Sequence, residues 1–176
     1  VTSLINNAGF GTWGPFHDES AERLREEIGV NVAGVVDVSR AFIEQLRAHG
    51  KGVLINVASV AAYQPIPGMA VYAATKAFVL SFTEALWQES RDSGLRVLAL
   101  SPGATSTEFF EVIGTEDADG GTARQTPEQV VETALQTLDR RNPPPSVVSG
   151  RRNHVMTVAG RLLTRRRLVI ATGAIA

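Results

Sequence analysis

Ser59 to Lys76 reads SVAAYQPIPGMAVYAATK, and this stretch decides how the rest of the chain is read. It opens with a serine at the end of the apolar run GVLINVAS, residues 52–59. A loop holding Pro65, Pro67 and Gly68 follows, and then Tyr72 and Lys76, four residues apart. Four residues is one helical turn, so the phenol and the amine share a helix face. A free phenol has a pKa of about 10 and handles protons poorly near neutrality. An ammonium fixed beside it favours the phenolate and is expected to lower that value. The pair would then give or take a proton at working pH. The Ser59 hydroxyl would hold a substrate oxygen near the phenol. The chain carries 17 basic residues and takes nearly all of its positive charge from Arg; its only lysines are Lys51 and Lys76. A titratable amine at position 76 therefore suits a chemical need better than a general surface charge.

Outward from this stretch, the pattern is strand, helix, strand. GVLINVAS has the near-continuous apolar run of a parallel strand covered on both faces. Ala70 to about Arg91 reads as a helix stopped at Gly94, and RVLALS, residues 96–101, is the next buried strand, closed by Pro102-Gly103. Upstream, TSLINNA at residues 2–8 is a short apolar strand running into a turn. Leu24, Ile28, Val32, Val35, Ser39, Phe42 and Leu46 recur every three or four residues. They predict one long helix, or two in tandem broken near Gly29, ending at Gly50. Downstream, Thr126-Pro127-Glu128-Gln129 is a helix start with its cap, and SVVSG at 146–150 is a last short strand. This alternation predicts an α/β fold with a parallel, doubly wound, Rossmann-like sheet. Ligands of such sheets sit beyond the carboxyl ends of the strands. Asn7, Ser59 and Pro102-Gly103 all fall at those ends.

Other features exclude or leave open further classes. A net charge of −1 argues against a general nucleic-acid binder. There is no Cys, hence no disulfide framework or thiolate metal site. His17, His49 and His154 are scattered without carboxylates at ligand spacing, so no metal site is expected. No apolar run has the length of a membrane span and no signal-peptide pattern opens the chain, which makes a cytoplasmic protein the expectation. Residues 9–14, Gly-Phe-Gly-Thr-Trp-Gly, match G-x-G-x-x-G, but Pro15 and Phe16 follow where a helix should open. They read as a glycine loop beside an active site rather than a phosphate loop. Asn31 lies in an apolar stretch and reads as a core amide capping a break at Gly29. Residues 115–125 are polar and read as a lid over substrate or as a solvated surface loop. Residues 1–150 form the expected sheet domain. Residues 151–176 form a basic helical tail with six Arg and no acid. That tail fits contact with an anionic membrane surface, a cover for the pocket, an oligomer contact, or a solvated face.

Asn6-Asn7-Ala8-Gly9, Asn31, Ser59, Tyr72-x-x-x-Lys76 and Pro102-Gly103 stand in the order and spacing of the short-chain dehydrogenase/reductase family, which the chain resembles from Thr2 to about Phe110. The resemblance implies an NAD(P)(H)-dependent oxidoreductase that interconverts a carbonyl and a secondary alcohol. It makes Tyr72 the general acid/base and Lys76 the residue that lowers its pKa and holds the nicotinamide ribose. Ser59 would polarise the substrate oxygen, and Asn31 would hold a water in a proton relay. Asn7, Ala8 and Gly9, with Tyr72 and Lys76, would meet the cofactor, NAD or NADP, and Pro102, Gly103, Thr105 and Thr107 would meet its nicotinamide end. A homo-oligomer is implied as well. Phe109, Phe110, Ile113 and the tail suggest an apolar or amphipathic small-molecule substrate.

The family also opens with a glycine-rich phosphate turn and further strand–helix units ahead of the NNAG strand. The chain, which begins with Val, does not show them. The expectation is therefore the C-terminal portion of the fold, with one sheet edge open and apolar and with weak cofactor binding by the 176-residue chain alone. The competing expectation is a non-catalytic fragment of the family acting as an interaction module.

Overall fold

The computed structural model describes residues 1–115 and 121–174. Four strands form one parallel sheet in sequence order: β1 (Ser3–Asn6), β2 (Val53–Val57), β3 (Arg96–Ser101) and β4 (Ser146–Val148). The first crossover, between β1 and β2, holds α1 (Ala21–Ile28), a π-helical segment at Gly29–Gly34 and α2 (Val35–Ala48). The second, between β2 and β3, is α3 (Ala70–Glu89), and the third, between β3 and β4, holds α4 (Phe109–Ile113) and α5 (Pro127–Leu138). Two helices, α6 (Arg151–Gly160) and α7 (Arg165–Gly173), close the described chain.

Side-chain alternation sorts the core onto two faces. Leu54 of β2 and Val97 of β3 point one way and pack with Leu46 of α2 and with Leu86 and Trp87 of α3. Ile55, Leu98 and Leu100 point the other way, onto Val130, Ala134 and Leu138 of α5. Helices thus cover both faces of β2 and β3, which is why their sequences are apolar throughout rather than alternating. Fully burying side chains such as Leu54 and Leu98 contributes roughly 1.5–3 kcal/mol each. α5 starts with the cap read from the sequence: Thr126 and Gln129 exchange side-chain bonds with each other's backbone N–H.

Three expectations change. β1 is not a buried strand. It pairs only with β2, and Ile5, opposite Ile55 on the α5 side, is 59% exposed. The open apolar edge anticipated from the sequence is this strand. Second, the buried face of the first crossover is not the apolar stripe through Ile28 and Val32. Ile28 is exposed and Glu27 and Asn31 are buried in its stead, whereas Val35, Ser39 and Leu46 of the expected stripe are buried as read. Of the two alternatives, one long helix or two broken near Gly29, the π-turn at Gly29–Gly34 gives the continuous one, and it brings Asn31 onto the inner face. Such turns recur at functional positions. Third, the 60–68 loop contains a single 3₁₀ turn, Val60–Tyr63, capped by the Ser59 hydroxyl, which accepts from the Ala61 N–H at 3.1 Å.

The basic tail is docked rather than free. Leu168 and Thr172 of α7 are buried, and the Thr172 hydroxyl donates to the Pro65 carbonyl at 2.8 Å. No helix among the described residues is long and apolar enough to cross a membrane.

Candidate active site

The strand tips converge as the parallel topology requires. Val60 N–H donates to the Pro102 carbonyl at 2.9 Å, which ties the end of β2 to the end of β3. Beneath them runs a polar ladder that the sequence reading missed. Asn6 donates to Ser39 Oγ at 2.9 Å and to Asn56 Oδ1 at 2.8 Å, and Asn56 donates to Thr83 Oγ1 at 2.9 Å. Asn56, Ser39 and Thr83 are buried, so these bonds lock β1 and β2 onto α2 and α3 just below the site.

α3 carries Tyr72 and Lys76 on its inner face, both buried. The Lys76 ammonium donates to the Val57 carbonyl at the tip of β2, at 2.9 Å, and lies 5.8 Å from the centre of the Tyr72 ring. The residues sequence reasoning singled out as catalytic meet here. Ser59 and Tyr72 line one cavity of about 200 Å³. Asn31 donates to the Phe10 carbonyl at 2.8 Å and to Thr75 Oγ1 at 3.1 Å, and accepts from the Phe10 N–H at 3.1 Å. Its amide therefore pins the loop after β1 to α3, and no direct bond to Lys76 is formed.

The glycines of that loop explain the apparent phosphate motif. A β-carbon on Gly9 would lie 3.0 Å from Asn31 Oδ1 and 3.2 Å from Lys76 Nζ. One on Gly11 would lie 3.0 Å from the Tyr72 ring. Both glycines are there to let backbone approach the pair, and no helix opens at Gly14, where φ is 154°.

Burial dominates the electrostatics, against the expectation for the tyrosine. Desolvation pushes the Tyr72 phenol up to about 12; the Ser59 hydroxyl works downward and the charge of Glu27 adds a further rise. Desolvation pulls the Lys76 ammonium down to about 8, with Glu27 opposing. The lysine's ammonium is engaged by the Val57 carbonyl, and loss of water is the largest influence on Tyr72.

The remaining expected residues divide. Gly103 lines the cavity. Thr105 donates to the Gly103 carbonyl at 3.0 Å and sets that loop. Thr107 is exposed, and its hydroxyl accepts from the Phe109 N–H at 3.4 Å at the start of α4. Asn7, Ala8 and Gly9 are exposed at the tip of β1. The cavity wall is apolar, with Trp13, Met69, Phe109, Phe110 and Met156, and the Phe109 ring stands 5.4 Å from that of Tyr72. Trp13 comes from the 9–14 loop that was read as lying beside an active site, and Met156 from the tail, one reading of which was a cover for the pocket; neither residue was singled out by itself. Residues 116–120, the heart of the expected lid, lie outside the described residues. Among the described residues no acidic or histidine cluster could hold a metal ion.

A nicotinamide cofactor fits these residues at one end. The side-chain-free approach at Gly9 faces both Asn31 and the Lys76 ammonium, and the apolar cavity adjoins the phenol. A phosphate-holding glycine turn opening a helix is not found among the described elements.

Comparison with known proteins agrees with this geometry. The short chain dehydrogenase family profile matches residues 1–118. An uncharacterized oxidoreductase of Thermotoga maritima is 38% identical over 105 residues, 60% of this chain and 42% of that protein. An inactive 2-(S)-hydroxypropyl-CoM dehydrogenase 2 of Xanthobacter autotrophicus is 33% identical over 150 residues, 78% of this chain and 65% of the relative. The chain thus spans about half the length of these relatives. Among solved structures, a short chain dehydrogenase from Burkholderia cenocepacia in complex with NADP superimposes with a TM-score of 0.80 at 29% identity, over 96% of this chain and 69% of that one. The parallel sheet, the two-faced helix cover and the profile match over two thirds of the residues lead to one conclusion: the chain belongs to the short chain dehydrogenase family.

Proposed function

We propose that this chain is the catalytic part of an NAD(P)(H)-dependent oxidoreductase that interconverts a carbonyl and a secondary alcohol, with Tyr72 as general acid/base. One observation carries the reading. The Tyr72 phenol and the Ser59 hydroxyl face a shared apolar cavity, and a buried ammonium stands behind them. The cofactor, when bound, supplies or accepts the hydride. Every other task falls to the chain. Tyr72, protonated at neutral pH, donates its proton to the substrate oxygen in reduction and recovers one afterwards. Ser59 directs a hydrogen bond to that same oxygen. Lys76 would meet the cofactor's ribose from its buried position, and Gly9 would admit the cofactor against it. Asn31 fixes the loop that frames this approach. Pro102, Gly103, Thr105 and Thr107 would border the nicotinamide end.

The wall of Trp13, Met69, Phe109 and Phe110, the last two from α4, suits an apolar or amphipathic substrate. A homo-oligomer through the long helices belongs to the same proposal; Val38 of α2 and Phe78 of α3 are exposed on them. So does a peripheral contact of the tail with an anionic surface, where Arg165, Arg166 and Arg167 stand near the exposed Leu162 and Ile170. The competing reading, a non-catalytic interaction module, draws on the Xanthobacter relative described as inactive.

The test is consumption of reduced nicotinamide by the chain at high cofactor concentration, with a panel of ketones and aldehydes graded from apolar to polar. Turnover of the apolar members supports the enzyme. No turnover with any member, by a folded protein that binds cofactor, favours the module. A variant separates the two readings of the glycine loop. Gly11→Val drives a side chain into the Tyr72 ring, so turnover should fall by about 10²-fold through misplacement of the phenol. Cofactor affinity should change little; its complete loss would instead make this loop a phosphate site.

A further inference from the structure

Among the described residues, Glu27 is the one buried ionisable side chain beside the site with no part in the proposed reaction. It is fully buried on the last turn of α1, four residues before Asn31, and so shares that residue's inward face. Both side chains grip the same loop. Asn31 holds Phe10 through the backbone, and Glu27 Oε2 accepts from the Thr12 hydroxyl at 3.1 Å. Between those two anchors Gly11 lies flush against the Tyr72 ring. The second oxygen, Oε1, is buried with no hydrogen-bond partner among the described residues. A buried carboxylate that is half satisfied weakens a fold, and a carboxamide or apolar side chain would fill the place at lower cost. Its place beside a tyrosine–lysine pair that feels its charge points to an electrostatic use. The charged and titratable groups that act on it or feel it are Glu19 in the preceding loop, Arg23 on its own helix, and Tyr72 and Lys76 across on α3.

We propose that Glu27 is a positioning residue of this site, a buried carboxylate that anchors the Phe10–Thr12 loop over Tyr72 and holds Lys76 in its ammonium form. Burial works against the charge on Lys76 and favours the neutral amine. The negative charge of Glu27 opposes this, and it also keeps the Tyr72 phenol protonated. Both effects maintain the pair in its proton-donating state at neutral pH. The inference rests on Tyr72 and Lys76 being the proton-handling pair, but its test needs no turnover, so it fails separately from the proposed reaction.

The chain has only two lysines, Lys51 and Lys76, and Lys51 is exposed. Lysine labelled with carbon-13 at Cε therefore gives two NMR resonances, which can be followed against pH in the full chain. The wild-type Lys76 resonance should titrate near pH 8. In Glu27→Gln that midpoint should fall by roughly one pH unit, while Lys51 stays in place. Glu27→Asp, which keeps the charge, should restore most of the difference. A folded Glu27→Gln protein whose Lys76 midpoint does not move overturns the proposal, even if the protein is less stable, because a purely structural anchor would behave that way. Should the variants fail to fold, the wild type still decides. Protonation of Glu27 should produce a second, smaller inflection of the Lys76 resonance on the acid side, above pH 4.5, and not of Lys51. A single inflection overturns the proposal.

Discussion

Tyr72→Phe is expected to lower turnover by about 10²–10⁴-fold, the range for losing a general acid/base, while leaving cofactor affinity and fold intact. The substitution removes one oxygen and nothing else. The ring keeps its place against Gly11 and its 5.4 Å contact with Phe109. The hydroxyl bonds the buried Ser59 side chain, which loses that partner in the variant but still accepts from the Ala61 N–H, so the cost to the fold is small. Steady-state rates with reduced cofactor and an apolar ketone, set beside thermal melting of the same samples, separate chemistry from folding. Equal rates for the two proteins would remove Tyr72 from the mechanism. The direction of the phenol's displacement adds a pH signature. Held up at about 12, Tyr72 is a proton donor throughout the neutral range. Carbonyl reduction should therefore proceed at neutral pH, and alcohol oxidation, which needs the phenolate, should speed up as the solution becomes alkaline.

Lys76→Met should remove the rise of stability with pH on the alkaline side. In the folded chain the ammonium loses its proton near pH 8, against 10.5 for the unconstrained group. Below pH 8 both states are protonated, and the buried charge weakens the fold to its full extent. Between 8 and 10.5 the unfolded chain holds the proton and the folded chain does not, so wild-type stability rises with pH across this window. A separation of this size corresponds to on the order of 3 kcal/mol. Methionine fills the same channel without titrating and lacks this rise. The Val57 carbonyl loses its donor in the variant, a roughly constant cost of about 1 kcal/mol at any pH. Unfolding free energies of both proteins in denaturant at pH 7 and pH 10 give the result. The wild type should gain on the variant between the two; a constant difference would mean that Lys76 is not desolvated.

What could be read from the sequence was what depends on local pattern. β2 and β3 announced themselves because both of their faces are covered, and α5 because its cap is written in four consecutive residues. Ser59, Tyr72 and Lys76 were legible because one strand end and one helical turn place them. What depends on distant packing was not. The first half of the buried face of this crossover runs through Glu27 and Asn31, polar residues held inside by their bonds to the loop after β1. The spacing 27, 31, 35 and 39 was available as a signal, but the apolar Ile28 and Val32 beside it masked it. Gly11 looked like part of a phosphate loop until the Tyr72 ring was found against it. The sense of the tyrosine's displacement was misjudged because spacing along a helix shows that two side chains are neighbours and says nothing of how much water each has lost.

The central claim is that this site pairs hydride transfer from a nicotinamide with proton donation from Tyr72. The most direct measurement follows deuterium from cofactor labelled at the nicotinamide C4 into the alcohol product, by mass spectrometry, for the wild-type chain and for Tyr72→Phe. One deuterium at the carbinol carbon with the wild type, and product formed at least about 10²-fold more slowly by the variant, is the expected result. Unlabelled product, or labelled product at equal rates from both proteins, would contradict it.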